Sequence, residues 1–224
     1  MVYTVDYSNR PEERPGSHLL LILHGYGAHE ADLSELAGSL SRPGFTLASL
    51  RAPQPVGAQP DPHALSAYMP ANSWGYQWYP LDAQLRADLG HIERAVDYVL
   101  GFIDRDCGSY RAVSLLGFSQ GMAVASSLIR SRPEKFASLI GLSGYIVEQD
   151  SSYFKDQRLA ELKLPAFYGR GGADQVIPPE FVRYSQKWLQ EHTRLYSQVY
   201  PQMAHSISPA EIGHIADFMQ TQLA

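Results

Sequence analysis

The 224-residue sequence is poor in cysteine and has only Cys107. A single cysteine excludes an internal disulfide and any cysteine-based metal cluster. Cys107 follows a stretch with helical spacing, and we interpret it as a structural thiol. No His, Asp or Glu residues have metal-ligand spacing, and no dinucleotide or P-loop glycine fingerprint occurs. The sequence therefore predicts no metal and no cofactor.

Long apolar runs and clustered positive charge are also lacking. No run approaches the ~18 residues of a membrane span, and the first residues show no signal-peptide pattern. The net charge is −5, and no Lys/Arg cluster occurs. This charge pattern argues against nucleic acid and anionic membranes as partners. We therefore expect a cytoplasmic protein with no integral membrane association.

The pattern of apolar residues predicts an α/β fold. Hydrophobic residues make up 45% of the chain, and the length fits one domain with a substantial core. Short apolar runs alternate with segments of helical spacing, which is typical of a mostly parallel sheet covered by helices on both faces. The sequence contains no repeat or linker. We predict a single domain over residues 1–224.

Three local predictions can be compared with the structure. The clearest helical pattern predicts a helix over residues 82–106, with Asp82 as its N-cap. Residues 146–163 are polar and poorly periodic and predict no regular element. Residues 208–211 (Ser-Pro-Ala-Glu) predict a capping box at the start of the last helix.

Residues 117–121 read Gly-Phe-Ser-Gln-Gly and lie between an apolar run and a run of small residues. A Gly-x-Ser-x-Gly motif between a strand and a helix is typical of a nucleophile elbow. The glycines are needed because side chains there would collide with the neighbouring strand and helix. We predict Ser119 as the nucleophile.

A serine nucleophile needs a base, and the base needs an orienting acid. In this fold class the acid and then the histidine follow the serine, each after a later strand. Asp174 follows a predicted strand through a glycine-rich turn, and His205 lies in the loop after the last predicted strand. We predict Ser119, His205 and Asp174 as a catalytic triad for acyl transfer to water.

The oxyanion of such a reaction needs two hydrogen-bond donors. We expect one to be the backbone N–H of Gln120 and the other to come from the turn at residues 25–27, with the Tyr26 N–H favoured. His24, directly before that turn, has two interpretations, a base or ligand and a structural residue, and we favour the structural one.

Residues 51–81 are rich in proline and have no convincing period, yet they contain an aromatic cluster. Two interpretations stay open for Trp74 and Trp78. The cluster either packs the loop against the body of the protein or forms a wall of a substrate pocket. The same loop is also a candidate dimer interface, so a homodimer stays open.

Four motifs resemble the phospholipase/carboxylesterase family of α/β-hydrolases, which includes the acyl-protein thioesterases. They are Leu-His-Gly-Tyr-Gly-Ala (23–28), Gly-Phe-Ser-Gln-Gly (117–121), Gly-Gly-Ala-Asp-Gln-Val-Ile-Pro (171–178) and Met-Ala-His-Ser-Ile (203–207). The resemblance runs from about residue 19 to the C-terminus. It implies a small hydrolase with little or no lid that cleaves esters or thioesters without a cofactor. By position, it implies the triad Ser119, Asp174 and His205, the oxyanion donors Tyr26 and Gln120, and Val176 at the border of the acyl site.

The sequence departs from this family in two places. The family often has an acidic residue soon after the His-Gly-x-Gly turn, where this chain has Ala28-His29-Glu30. The aromatic segment 72–78 replaces a shorter one that borders the pocket in the family, and its bulk favours a short acyl chain.

We therefore expect a carboxylesterase for small or short-chain acyl esters, with thioesters as related substrates. The alternatives are a lysophospholipase or acyl-protein thioesterase with a longer acyl groove, and a non-catalytic binding module of the same fold. A peptidase is disfavoured because no acidic subsite for a peptide amine is visible.

Overall fold

The computed structural model describes residues 2–56 and 75–223, and its core is a seven-stranded, mostly parallel sheet. In chain order the strands are β1 (Val5–Tyr7), β2 (His18–Leu23), β3 (Phe45–Leu50), β4 (Gln54–Pro55), β5 (Tyr76–Gln77), β6 (Ala112–Phe118), β7 (Leu139–Leu142), β8 (Pro165–Gly171) and β9 (Arg194–Tyr200). The sheet has the spatial order β1-β3-β2-β6-β7-β8-β9, with β1 antiparallel to β3 and every other pair parallel. β4 and β5 form a separate antiparallel pair.

Helices cover both faces of this sheet. They are α1 (Ser34–Leu40), α2 (Leu89–Asp106), α3 (Gln120–Ser131), α4 (Asp156–Leu162), α5 (Pro179–His192) and α6 (Pro209–Gln222), with 3-10 turns at Pro11–Glu13 and Pro133–Lys135. The core of one face includes residues of α2, α3, α4 and α5, and the core of the other face includes residues of α1 and α6. The prediction of a mostly parallel sheet covered on both faces is confirmed.

The central strands β2 and β3 are buried on both faces, as their mostly apolar sequences indicate. All six residues of β2 are buried, and so are all six of β3. Side chains alternate across β2, so that Leu21 packs in the core with α2 and α3 while Ile22 packs in the core with α1 and α6.

Helix α2 begins at Leu89, so the prediction that Asp82 caps it was wrong. Asp82 instead accepts hydrogen bonds from the backbone N–H groups of Gln84 and Arg86. Leu85 has a φ of 60°, which a helix cannot contain. Asp88 is the N-cap, because its side chain accepts the His91 N–H at 2.9 Å. Asp82 therefore closes a turn ahead of the helix.

Helix α4 lies within residues 146–163, where the sequence predicts no element. Only Leu159 of its seven residues is buried, so the helix has no apolar stripe to detect. Of the predicted capping box, the Ser208 side chain accepts the Glu211 N–H at 3.2 Å. Within the described parts of the chain, no helix is both long and apolar enough to cross a bilayer.

Candidate active site

Ser119 lies on a strained turn between β6 and α3. Its φ of 54° and ψ of −119° are unusual for a residue other than glycine. A Cβ added to Gly117 would lie 2.4 Å from the backbone of Gly121, and a Cβ on Gly121 would lie 2.0 Å from the Leu23 carbonyl oxygen. Both glycines are therefore required by the close approach of backbone, as the motif predicts.

His205 lies between Ser119 and Asp174. Its Nε2 atom is 3.0 Å from Ser119 Oγ, and its Nδ1 atom is 2.9 Å from Asp174 Oδ2. Because a carboxylate only accepts hydrogen bonds, Nδ1 carries the proton of the neutral ring and Nε2 is left to accept the Ser119 hydroxyl. This is the arrangement that a serine nucleophile and its base require.

The loops that carry the acid and the histidine are joined by backbone contacts. The Ala173 N–H donates to the Met203 carbonyl at 3.0 Å. A Cβ on Gly171 would lie 2.0 Å from the same carbonyl oxygen, so only glycine lets the two loops pack this closely. The second carboxylate oxygen of Asp174, Oδ1, accepts the N–H groups of Val176 and Ile177 at 2.8 and 3.3 Å. Both oxygens of this acid are therefore held in place.

Ser143 is a supporting residue that the sequence motifs do not identify. Its hydroxyl donates to the Ser206 carbonyl at 3.1 Å, and its N–H donates to the Gly169 carbonyl at 2.9 Å. With a φ of 44°, it turns back from the end of β7 toward the loop of His205. A serine directly after an apolar strand was the available signal, but the sequence does not name its partner.

The turn at residues 25–28 faces the same site. A Cβ on Gly25 would lie 3.4 Å from the Ser119 Cβ, which shows how close the turn is to the serine. The Gly27 N–H donates to the Tyr76 carbonyl at 2.9 Å, and the Tyr76 N–H donates to the Ala28 carbonyl at 2.8 Å. This turn is therefore paired with β5 through two backbone hydrogen bonds.

His24 is fully buried beneath this turn. Its Nε2 atom accepts the Ala52 N–H at 3.1 Å, so Nδ1 carries the proton and donates to the Gly25 carbonyl at 2.8 Å. Burial lowers the pKa of the imidazole, with the Gly25 hydrogen bond opposing that shift. The structural interpretation of His24 agrees with these contacts.

Gln120 follows Ser119 directly, and its side chain holds the backbone of residues 78–79 beside the site. Its Oε1 atom accepts the Trp78 N–H at 3.1 Å, and its Nε2 atom donates to the Tyr79 carbonyl at 2.7 Å. As the first residue of α3, Gln120 has a backbone N–H with no partner inside the helix. This backbone N–H lies at the positive end of the helix dipole.

A cavity of about 300 Å³ adjoins Ser119 and His205. Of the predicted site residues, Tyr26 joins these two in its wall. Its described lining is His24, Gly25, Tyr26, Ala28, Asp32, Leu33, Phe118, Ser119 and His205. A second cavity of about 390 Å³ has a lining that includes Leu85, Tyr145 and Phe181.

Trp78 and Val176, which were predicted to bind substrate, are absent from the described lining of the cavity at Ser119. Trp78 is 1% exposed, and its indole N–H donates to the His24 carbonyl at 2.8 Å, so it lies behind the cavity wall. Val176 is 50% exposed beside Asp174, and its side chain is outside the described lining of both cavities. Trp74 lies outside the described residues.

In the described ranges, no group of three or more His, Cys, Asp or Glu side chains could hold a metal ion. The side chains that the structure does bring together can act in nucleophilic catalysis. Ser119 can attack a carbonyl carbon, His205 can take its proton, and Asp174 can stabilise the charged imidazole.

Comparisons with known proteins agree with the fold and with the family resemblance. The profile of a family described as phospholipase/carboxylesterase matches residues 9–223. Acyl-protein thioesterase 1 of Kluyveromyces lactis is 27% identical over 219 residues, covering 94% of each chain. The Saccharomyces cerevisiae protein of the same name is 28% identical over 171 residues, covering 70% of this chain and 71% of its own.

Solved structures show the same fold. The crystal structure of esterase PE8 superposes with a TM-score of 0.76 at 22% identity, covering 99% of this chain and 100% of that one. Zea mays acyl-protein thioesterase 2 gives a TM-score of 0.74 at 17% identity and covers 99% of both chains. Since the family profile spans nearly the whole sequence, the chain belongs to the phospholipase/carboxylesterase family.

Proposed function

We propose that this protein is a serine carboxylesterase for small or short-chain acyl esters and thioesters, and that a single domain over residues 1–224 carries the activity. The observation that carries the proposal is the continuous hydrogen-bonded array from Ser119 through His205 to Asp174. Family membership supports hydrolysis of esters or thioesters as the reaction class.

In the proposed reaction, His205 Nε2 takes the Ser119 proton as Oγ attacks the acyl carbonyl carbon. The tetrahedral intermediate collapses when the protonated imidazole gives that proton to the leaving alcohol or thiol. Water then attacks the acyl-enzyme, losing a proton to His205, and the acid is released as Ser119 is restored. Asp174 holds the imidazole in the reactive tautomer throughout.

The oxyanion of each intermediate is stabilised by two backbone N–H groups, those of Gln120 and Tyr26. Gln120 follows the serine at the start of α3, and Tyr26 lines the cavity beside Ser119. Removing one such donor typically costs on the order of 3 kcal/mol of barrier.

The preference for small acyl groups is supported by the cavity at Ser119. Its volume of about 300 Å³ is at the low end of ligand pockets in proteins. Tyr26, Leu33 and Phe118 give it an apolar wall suited to a few methylene groups.

The test is hydrolysis of p-nitrophenyl esters from acetate to palmitate by wild type, Ser119→Ala and the control Ser152→Ala, which changes an exposed serine. We expect the highest kcat/KM at short chains in wild type and the control, and loss of activity in Ser119→Ala. A fluorophosphonate should label wild type at Ser119. Equal rates in Ser119→Ala and wild type would overturn the proposal.

A second candidate is an acyl-protein thioesterase, favoured by the similarity of this chain to the acyl-protein thioesterases of Kluyveromyces lactis and Saccharomyces cerevisiae. The discriminating substrates are an S-acetyl peptide and an S-palmitoyl peptide of the same sequence. Their hydrolysis is measured from the released thiol with a colorimetric thiol reagent. Faster turnover of the palmitoyl peptide, together with an optimum at long p-nitrophenyl esters, would favour the thioesterase and reject the short-chain preference.

A further inference from the structure

The turn at residues 25–28 is held from outside the cavity by one cationic side chain. Arg51 lies directly after β3, at the carboxyl end of that strand. Its guanidinium donates through Nε to Glu30 Oε2 at 2.6 Å and through Nη2 to Glu30 Oε1. Glu30 comes only two residues after Ala28, so this pair fixes the segment as it leaves the turn.

The same guanidinium also contacts Tyr76. The Arg51 Cζ atom lies 4.7 Å from the centre of the Tyr76 ring, and Nη1 donates to the Tyr76 hydroxyl at 3.3 Å. Tyr76 is the residue whose backbone pairs with Gly27 and Ala28. Arg51 therefore holds both the segment that leaves the turn and the strand that pairs with it.

The backbone of Arg51 is itself fixed. Its N–H donates to the Thr4 carbonyl at 3.0 Å, and its carbonyl accepts the Tyr98 hydroxyl at 3.2 Å. The Glu30 side chain is 12% exposed and that of Arg51 is 32% exposed, so water weakens this ion pair less than it would weaken a surface pair. A planar guanidinium suits this geometry, because it can bind a carboxylate at two points and also stack on a ring.

Glu30 also bears on one departure of the sequence from its family. The resemblance implies an acidic residue soon after the turn; this chain has Ala28 there, and the next carboxylate is Glu30. Its two-point contact with Arg51 gives that acid a defined structural partner. Arg51 is absent from the described lining of the cavity at Ser119 and from that of the larger cavity. Direct contact between its side chain and the substrate is therefore not indicated.

We propose that Arg51 is a positioning residue for catalysis: through Glu30 and Tyr76 it fixes the turn at residues 25–28 so that the Tyr26 N–H binds the oxyanion. This inference rests on the proposed hydrolase function. A donor contributes to catalysis only if it is fixed where the oxyanion forms, so small displacements of the turn slow the chemical step more than they weaken substrate binding.

The test compares Arg51→Gln, Arg51→Lys and Glu30→Gln with wild type on the best p-nitrophenyl ester. The matched control is Arg158→Gln, which removes an exposed Arg158–Glu134 pair of similar length, 2.7 Å, between α4 and the turn at Pro133–Lys135. Rates are expressed per active serine, counted by fluorophosphonate titration, so that loss of folded protein does not count as loss of catalysis.

For Arg51→Gln and Glu30→Gln we expect kcat to fall on the order of 10-fold with KM changed by less than about 3-fold. Arg51→Lys should lie between these variants and wild type, because it keeps the charge and loses the two-point contact. The double variant Glu30→Gln/Arg51→Gln should be no slower than the slower single variant, because each single change already removes the same Arg51–Glu30 ion pair. Arg158→Gln should match wild type.

Binding of a trifluoromethyl ketone supplies a readout that a purely structural role would not change. Its adduct with Ser119 carries an oxyanion, so its affinity should fall in Arg51→Gln by the same factor as kcat/KM. The product alcohol, which has no oxygen at the position of the oxyanion, should inhibit wild type and variant equally. If Arg51→Gln does not fold, Glu30→Gln and Arg51→Lys are judged by the same criteria.

Unchanged kcat per active serine in all three variants, or equal weakening of ketone and product binding, would overturn the inference while leaving the hydrolase proposal standing. Wild-type protein that neither hydrolyses esters nor reacts with fluorophosphonate would instead remove the proposed function itself.

Discussion

Gln120 joins the turn at Ser119 to Trp78, because its side-chain Oε1 atom accepts the Trp78 backbone N–H at 3.1 Å. Its Nε2 atom donates to the next carbonyl, that of Tyr79, at 2.7 Å. The Gln120 side chain therefore satisfies one backbone donor and one backbone acceptor at residues 78–79, which lie outside the strands. In the proposed mechanism, the residue after the candidate nucleophile therefore has two separate roles, one for its N–H and one for its amide side chain.

We predict that Gln120→Ala loses stability while keeping part of its activity. The buried N–H of Trp78 and carbonyl of Tyr79 lose their partners, which should lower the free energy of unfolding by on the order of 2 kcal/mol. The backbone N–H at position 120 remains, so hydrolysis should stay well above that of Ser119→Ala. Urea unfolding and ester hydrolysis measure the two effects.

The control for this variant is Gln186→Ala, which removes a surface contact of 3.3 Å with the Ser197 hydroxyl. It should unfold at nearly the same urea concentration as wild type. Equal midpoints for Gln120→Ala and Gln186→Ala would contradict a supporting role for the Gln120 side chain.

For Asp174→Asn we predict a loss of kcat on the order of 10³–10⁴-fold with little change in stability. The Val176 and Ile177 N–H groups bind Oδ1, so they select the carbonyl oxygen of an asparagine for that position. The amide NH₂ then faces His205 Nδ1 and forces the proton onto Nε2. In that tautomer the ring cannot accept the Ser119 proton.

Steady-state kinetics measure this effect, and Asp217→Asn on the exposed side of α6 is the control. A loss smaller than about 10-fold in Asp174→Asn would contradict the proposed role of the carboxylate in fixing the tautomer.

Most of the fold could be predicted because its strongest signals are local. Mostly apolar runs coincide with β2 and β3, since a strand buried on both faces has few side chains that need solvent. The start of α2 was misplaced because Asp82 and Asp88 are both capable caps. Which acid caps the helix depends on the path of the chain around Leu85. The spacing of apolar residues carries no information about that path.

The candidate site divides in the same way. Ser119, Asp174 and His205 could be proposed from motifs, because each follows a strand and chain order restricts the choice. The supporting contacts of Ser143, Gln120 and Arg51 could not, since they join segments far apart in sequence. Trp78 was a candidate for the pocket wall, but an aromatic side chain has the same sequence pattern whether it lines a cavity or lies behind one.

Arg130 supports a prediction about stability alone. Its side chain is 1% exposed; Nε and Nη2 bind Asp156 at 2.9 and 2.8 Å, and Nη1 donates to the Val147 carbonyl at 2.7 Å. Arg130→Met should lower the free energy of unfolding by on the order of 2 kcal/mol, because the buried Val147 carbonyl loses its partner, whereas the Asp156 side chain is 29% exposed and stays partly hydrated.

Urea unfolding measures this loss, and Arg158→Met is the control because that arginine forms only exposed pairs. The control should unfold almost like wild type. Similar midpoints for Arg130→Met and wild type would show that the segment following β7 is held by other contacts.

Glu211 makes stability depend on pH. Its carboxyl group is fully buried, and neither oxygen has a hydrogen bond of normal geometry within the described chain. Burial raises the pKa of Glu211 from 4.5 to about 7, and the Ser208 backbone N–H opposes that shift. The folded state therefore binds more protons than the unfolded state between these pH values. The stabilisation by protonated Glu211 is complete below pH 4.5 and is lost as the pH rises through about 7.

We predict that Glu211→Gln removes this dependence, because an amide does not titrate. The difference between 4.5 and about 7 corresponds to on the order of 3 kcal/mol. Relative to wild type, the free energy of unfolding of the variant should therefore rise between pH 4 and pH 8 by up to that amount. Urea unfolding at pH 4, 5, 6, 7 and 8 measures it, with Glu180→Gln as an exposed control in the first turn of α5. If Glu211→Gln and wild type keep a constant difference across this range, the Glu211 carboxyl group does not titrate differently in the folded and unfolded states.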